Sequence, residues 1–270
     1  MRMEDRSLRW ALISTPDYEN MSGTAAEFVC RFVRTHRDRI VVALPTGETP
    51  SLLYALLPRL LHHQAISESR FRFINLDEYV GFSNENPDSF ACALRMQFLD
   101  KLVLEKEAVR LLDGAAIDSG AECERHEAWI RDAGGLDLAI LGLGVNGHIA
   151  FNEPGTDFSS KTHVAVLAEW TRQRIQRSIQ CKVCPSHAMT MGIGTILAAR
   201  SIVLLASGSE KADALNRAFN RPTTASLPAS VLQKHPCVTV IADVAALSEW
   251  DGPATYSSGV RTSGEEESRS

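Results

Sequence analysis

Short apolar runs rich in branched aliphatic residues recur along the chain, with amphipathic segments between them. This alternation restricts the fold more than any other feature. The clearest runs are Ile40–Leu44, Phe71–Leu76, Leu136–Leu143, Ser201–Ala206 and Val238–Ala242, with an earlier one at Trp10–Ile13. Between them, Ala25–Thr35, Ser51–His62, Ser89–Leu104 and Lys211–Phe219 read as helices. Strands that alternate with helices imply a mostly parallel sheet covered on both faces. The expected fold is α/β: a three-layer α/β/α sandwich with a Rossmann-like, mostly parallel sheet and a mobile lid segment. No internal repeat is visible. Residues 1–250 read as a single domain. Residues 251–270, rich in Ser, Gly and Glu, read as a poorly ordered tail.

Composition narrows the function classes. The net charge of −5 argues against a nucleic-acid surface, which is normally basic. It leaves room for an anionic substrate, because a few local cations outweigh the mean field. No apolar run approaches the roughly 20 residues of a membrane span. The segment Met1-Arg-Met-Glu-Asp5 lacks the apolar core of a signal peptide. Six scattered cysteines fit a reducing cytoplasm. Cys181-Lys-Val-Cys184 with His187 resembles half of a zinc site, but no second pair completes it, so no metal is expected.

Ligands of open α/β sheets bind beyond the carboxyl ends of the strands. The chemistry-bearing residues fall there. Thr46-Gly-Glu-Thr49 follows the Ile40 run and precedes Pro50, so Thr49 reads as a helix cap. Backbone N–H groups of Thr46, Gly47, Glu48 and Thr49 could cradle a phosphate, although the Glu48 carboxylate would repel one unless it points away. Asp77-Glu78 closes the Phe71 run, and a desolvated carboxylate there suits a general base as well as it suits a cap. Asn146-Gly-His148 follows the Leu136 run, with Glu153 five residues beyond the histidine. Histidine passes protons in either direction near neutrality, and a carboxylate can orient it. Ser209 and Lys211 follow the Ser201 run, and lysine is a point-charge partner for phosphate. Arg172, Arg174 and Arg177 form a basic cluster that suits either a cover with a substrate-facing arginine or a solvated helix face. Two separated acid/base centres suit a reaction that moves protons at two carbons, such as an aldose–ketose isomerisation.

At this point the chain resembles the glucosamine-6-phosphate deaminases. The resemblance rests on L-P-T-G-E-T-P (Leu44–Pro50), N-L-D-E-Y-V-G (Asn75–Gly81) and G-L-G-V-N-G-H-I-A-F-N-E-P-G (Gly142–Gly155). M-T-M-G-I-G-T-I-L (Met189–Leu197) and G-S-E-K (Gly208–Lys211) extend it. It implies conversion of glucosamine 6-phosphate and water to fructose 6-phosphate and ammonia, in amino-sugar catabolism. It implies that His148 opens the pyranose ring with support from Glu153 and Asn146, and that Asp77 moves the proton between C2 and C1. It places the phosphate on the Thr46–Thr49 loop, Arg177 and Lys211. It implies no cofactor, a small sugar phosphate as the partner, and leaves a homo-oligomer open.

The chain departs from the pattern in three places. Asn146 stands where many members carry Asp, so it supplies no negative charge beside the imidazole. Glu48 stands where Gly or Ser is common. Members activated by an acetylated sugar phosphate carry basic residues on the strand that here reads His163-Val-Ala-Val166. Three other readings stay open. One is the same reaction on the C4 epimer, galactosamine 6-phosphate. Another is a 6-phosphogluconolactonase, against which Glu153 counts. The last is a non-catalytic sugar-phosphate sensor, which would lack a reason to keep Asp77, His148 and Glu153 together.

Overall fold

The computed structural model describes residues 10–36, 38–178, 184–253 and 256–257, without the side chains of Trp170, Arg174, Arg177, Ser178, Tyr256 and Ser257. In chain order the strands are β1 (Trp10–Thr15), β2 (Ile40–Leu44), β3 (Phe71–Asn75), β4 (Asp77–Tyr79), β5 (Val109–Arg110), β6 (Leu138–Gly142), β7 (His163–Val166), β8 (His187–Thr190), β9 (Ser201–Ala206), β10 (Val238–Asp243) and β11 (Tyr256–Ser257). The α-helices are α1 (Tyr18–Thr35), α2 (Ser51–His63), α3 (Phe90–Gln97), α4 (Ser119–Asp132), α5 (Glu169–Ser178), α6 (Ile193–Leu197) and α7 (Ala212–Asn220).

The main sheet runs β11-β1-β10-β9-β6-β2-β3-β5, and every neighbouring pair in it is parallel. Alternate side chains leave it on opposite faces. Ile40, Val42 and Leu44 of β2 pack with residues of α1, α2 and α3. Val41 and Ala43 pack with residues of α4, α6 and α7. With helices on both faces, neither face can be polar, and all five residues of β2 are buried. The three-layer reading therefore holds. None of the described helices is long and apolar enough to cross a membrane.

The order also locates a crevice. From β2 the chain moves outward to β3 and β5, and from β6 it moves the other way to β9 and β10. The neighbours β2 and β6 thus flank a topological switch point, where open α/β sheets bind ligands.

Several boundaries differ from the sequence expectation. The Leu136–Leu143 run is a strand only over Leu138–Gly142. The first helix begins at Tyr18 rather than Ala25, because the Asp17 side chain accepts the Asn20 N–H and caps it there. The Ser89–Leu104 helix stops at Gln97 and gives way to a 3₁₀ turn, Leu99–Lys101. Thr49 does not cap α2. Pro50 takes the cap position, and no side chain caps the helix. The expected tail contributes Tyr256–Ser257 to the sheet edge, paired with Ile13–Ser14, while residues 254–255 and 258–270 lie outside the described residues.

Of the small antiparallel sheet β4-β8-β7, only β7 was anticipated, as the strand His163–Val166 that the resemblance supplied. The sheet begins where the chain leaves β3. The Asn75 side chain donates to Asp77 O at 2.8 Å and accepts the Leu112 N–H at 2.9 Å, so it clamps this break between sheets. Asp77 pairs with Thr190, not with the start of a helix.

Candidate active site

A cavity of about 750 Å³ opens over the carboxyl ends of β2, β3, β6 and β9. That lies within the usual range of small-molecule sites, roughly 300–1,000 Å³. Residues from all four anticipated loops line it: Thr46–Thr49, Asp77, His148 and Lys211 among them.

The loop after β6 is the most tightly specified. Gly144 N donates to His148 O, and Gly147 N donates to Gly144 O, both at 2.9 Å, which closes a tight turn. Gly147 has φ +81°, a region that favours glycine, and a Cβ there would strike Leu227. A Cβ on Gly144 would lie 2.4–2.6 Å from the His148 ring. Ala150 sits at φ +51°, unfavourable for a residue with a Cβ. The surroundings fix it: Asn152 Nδ2 donates to the Ile149 and Met191 carbonyls, and Phe151 N donates to the Thr190 hydroxyl.

Glu153 stands behind the histidine and is not among the cavity-lining residues. Its Oε2 is 3.6 Å from His148 Nδ1, slightly longer than a hydrogen bond. Asn146 donates to the same oxygen at 2.8 Å, and its Oδ1 accepts the His148 backbone N–H at 3.1 Å. The resemblance implied that Asn146 supports His148. The Asn146 side chain hydrogen-bonds to the His148 backbone N–H and to Glu153, so its influence on the ring passes through Glu153. Thr171 of α5 donates to Glu153 Oε1 at 2.6 Å. Burial works against the Glu153 charge, but His148, Thr171 and Asn146 outweigh it and hold the carboxyl below its ordinary range.

Asp77 faces the same cavity from the start of β4. Burial, aided by the charge of neighbouring Glu78, pushes its pKa up to about 7, while a long contact from the Thr46 hydroxyl (3.4 Å) works the other way. A carboxylate tuned to neutrality suits a general base. The capping role that Asp77 could have filled falls to Glu78. It is fully buried and accepts the N–H groups of Tyr79, Phe90 and Ala91, two of them at the start of α3.

The anion side of the cavity is built from two strand ends. Tyr18 ties the loop after β2 to α2: its hydroxyl donates to Glu48 O and accepts Leu52 N–H. Ser51 N–H goes to Glu48 O, so two first-turn donors of α2 are already used. The Glu48 residue is exposed. Beyond β9, Asp243 accepts from Ser207 Oγ and from Gly208 N, and so shapes the turn that carries Lys211. Lys211 is only 6% exposed, and its ammonium lies 4.0 Å from Glu210 Oε1, as a buried lysine is normally paired. Arg177 lies on α5, but its side chain, like that of Arg174, is outside the described residues. Arg172 contacts Glu169 and does not line the cavity. Cys181 also lies outside the described residues, and Cys184 Sγ faces the Arg172 carbonyl. Among the described residues no three His, Cys, Asp or Glu side chains come together as a metal site.

Sequence reasoning did not find Tyr18, Thr171 or the aromatic wall of Tyr79, Phe90 and Phe151. Phe151 and Tyr79 adjoin the residues singled out, so strand-end position was a usable signal. Tyr18 and Thr171 carried none.

The pattern of glucosamine-6-phosphate isomerases/6-phosphogluconolactonases matches residues 16–241. The chain belongs to that family. Among its curated relatives, glucosamine-6-phosphate deaminase of Halalkalibacterium halodurans is 41% identical over 240 residues, 88% of this chain and 97% of the relative. The enzyme of the same name from Shouchella clausii is 42% identical over 238 residues, 88% and 96% of the two chains. Among solved structures of the family, a monomeric glucosamine-6-phosphate deaminase superposes with TM-score 0.85 at 37% identity, covering 88% of this chain and 99% of that one. A 6-phosphogluconolactonase from Trypanosoma cruzi, at 22% identity and TM-score 0.73 over 93% of this chain and 100% of its own, shares the fold.

Proposed function

We propose that this chain is a glucosamine-6-phosphate deaminase, converting glucosamine 6-phosphate and water to fructose 6-phosphate and ammonia. The observation that carries the reading is the meeting of Asp77, His148 and buried Lys211 around one cavity, with Glu153 held behind the histidine. The relatives of that name, about 40% identical over most of the chain, support it.

In this reading Lys211, the Thr46–Thr49 loop and Arg177 hold the phosphate. That anchors the sugar far from its reacting carbons and places them. His148, oriented by Glu153, moves the proton that opens the pyranose ring. The aldehyde so exposed acidifies the C2 proton, which Asp77 takes and returns to C1. The enol-amine becomes an imine at C2, water adds, and ammonia leaves. The substrate's own carbonyl activates C2, so the scheme requires no cofactor. We place the reaction in the cytoplasm, because the described cysteines are all unpaired thiols.

Ammonia release from glucosamine 6-phosphate is the direct test, run beside galactosamine 6-phosphate and 6-phosphogluconolactone. Release from the glucosamine compound is expected, together with its loss in His148→Gln. Faster turnover of the epimer, or lactone hydrolysis without ammonia, would replace this reading.

A further inference from the structure

The hydrogen bonds around Glu153 single out a residue that the proton chemistry itself does not use. A glutamate carboxylate rotates broadly about its last torsion. Holding Oε2 toward His148 therefore needs a donor on each oxygen. Asn146 supplies one, on Oε2, from the turn that carries the histidine. Thr171 supplies the other, on Oε1, at 2.6 Å. It belongs to a different element, α5, 18 residues further along the chain. A helical threonine can return its hydroxyl to a carbonyl of the preceding turn. This one, 5% exposed and lining the cavity, reaches out to the carboxylate instead.

We infer that Thr171 is a positioning residue for His148: from α5 it fixes the Glu153 carboxylate, and through it the imidazole, for the ring-opening step. The inference rests on the reaction proposed above. It makes the proton-transfer pair depend on the helix beside the cavity, so that a contact of α5 contributes to turnover as well as to binding. Thr171 touches neither the sugar carbons nor their protons in this scheme. It acts through Glu153.

Three variants test this. T171V keeps the shape and loses the O–H, T171A removes the whole group without a branched side chain, and T171S keeps the hydroxyl. Ammonia release should fall roughly tenfold or more in T171V and T171A, as fits loss of one hydrogen bond to a charged group, with KM near the unaltered value. T171S should recover most of the rate. Solvent-deuterium exchange at C1 of fructose 6-phosphate, which depends on Asp77, should fall much less than ammonia release. Unfolding temperatures close to that of the parent would show that the helix is retained. Normal turnover in T171V and T171A would overturn the inference. So would equal loss in T171S, or a rise in KM with turnover unchanged. If the unaltered protein releases no ammonia from glucosamine 6-phosphate, the proposed reaction itself falls, and this inference with it.

Discussion

Asp77 and Glu78 are adjacent in the chain and both buried, yet they are solvated by the protein in different ways. Glu78 receives three backbone N–H groups, whereas Asp77 receives one long hydroxyl contact and faces the cavity. Asp77→Asn should lower ammonia release by roughly 10²-fold or more, the usual contribution of a general base. Because the base must be ionised and its pKa is raised to about 7, turnover should climb as pH rises through that value, and a steady-state pH profile reads this limb. The same shift affects stability. A carboxyl raised on folding favours the folded state below its unfolded pKa, near the ordinary 3.8, and that contribution disappears as pH rises to about 7. Asp77→Asn removes the Asp77 share of this dependence, while Glu78, which burial also raises to about 7, keeps its own. The variant should therefore gain on the parent between pH 4 and 7 and keep the advantage above, as seen in thermal unfolding. An advantage that shrinks with rising pH would contradict the assignment. Gly144 offers a second check on the site. Its substitution by Ala would push a methyl into the His148 ring. A displacement near 1 Å can cost about 10²-fold in rate, so Gly144→Ala should be folded and nearly inactive.

Between residues and the whole molecule, the elements differ in how far the sequence disclosed them. β2 and β9 match their apolar runs from end to end, because a strand buried on both faces needs nothing but apolar residues. α4 escaped for the converse reason. Its sequence is largely polar, and among the residues it buries are Glu122 and His126. Glu122 is met by Arg110 and Arg125, and His126 Nε2 by the Asn75 carbonyl, so polar contacts that hydrophobic spacing cannot reveal share the buried side of α4 with Cys123 and Ile130. The strands of the small sheet are three or four residues long, and Asp77 and its partner Thr190 lie 113 residues apart. No local pattern encodes such a pairing. The loops after the strands fared better, because their residue types are unusual for mere connectors. The turn after β9 carries a test at this scale. Asp243 shapes it, and Lys211 ends it inside the cavity. Lys211→Met keeps the stem and removes the charge. It should raise KM for glucosamine 6-phosphate by roughly tenfold or more, with a smaller effect on turnover, since a charge-assisted contact is worth about 1.5–3 kcal/mol. Glucosamine without phosphate should be a poor substrate for the parent and no worse for the variant. Equal KM values in parent and variant would move the phosphate elsewhere.

On the scale of the whole molecule, the cavity joins parts that the sheet keeps apart. Its walls come from loops on both sides of the β2–β6 switch point, from β4 of the small sheet and from α5. A ligand that bridges them binds the folded state and has no counterpart in the unfolded chain, so it should stabilise the protein by mass action. At 100 times its dissociation constant, fructose 6-phosphate would add about 2.7 kcal/mol. For a chain of this size that corresponds to a rise in unfolding temperature of roughly 5–10 °C, taking about 2–4 °C per kcal/mol. Fructose at the same concentration should give almost no rise, because it lacks the group that Lys211 and the loop after β2 are placed to hold. Lys211→Met should weaken the rise at a fixed concentration and recover it at a higher one. His148→Gln should leave it nearly intact, since the histidine acts on the ring and the phosphate anchors the sugar. A rise that vanishes with His148→Gln but survives Lys211→Met would reverse the division of the cavity into an anchoring side and a reacting side.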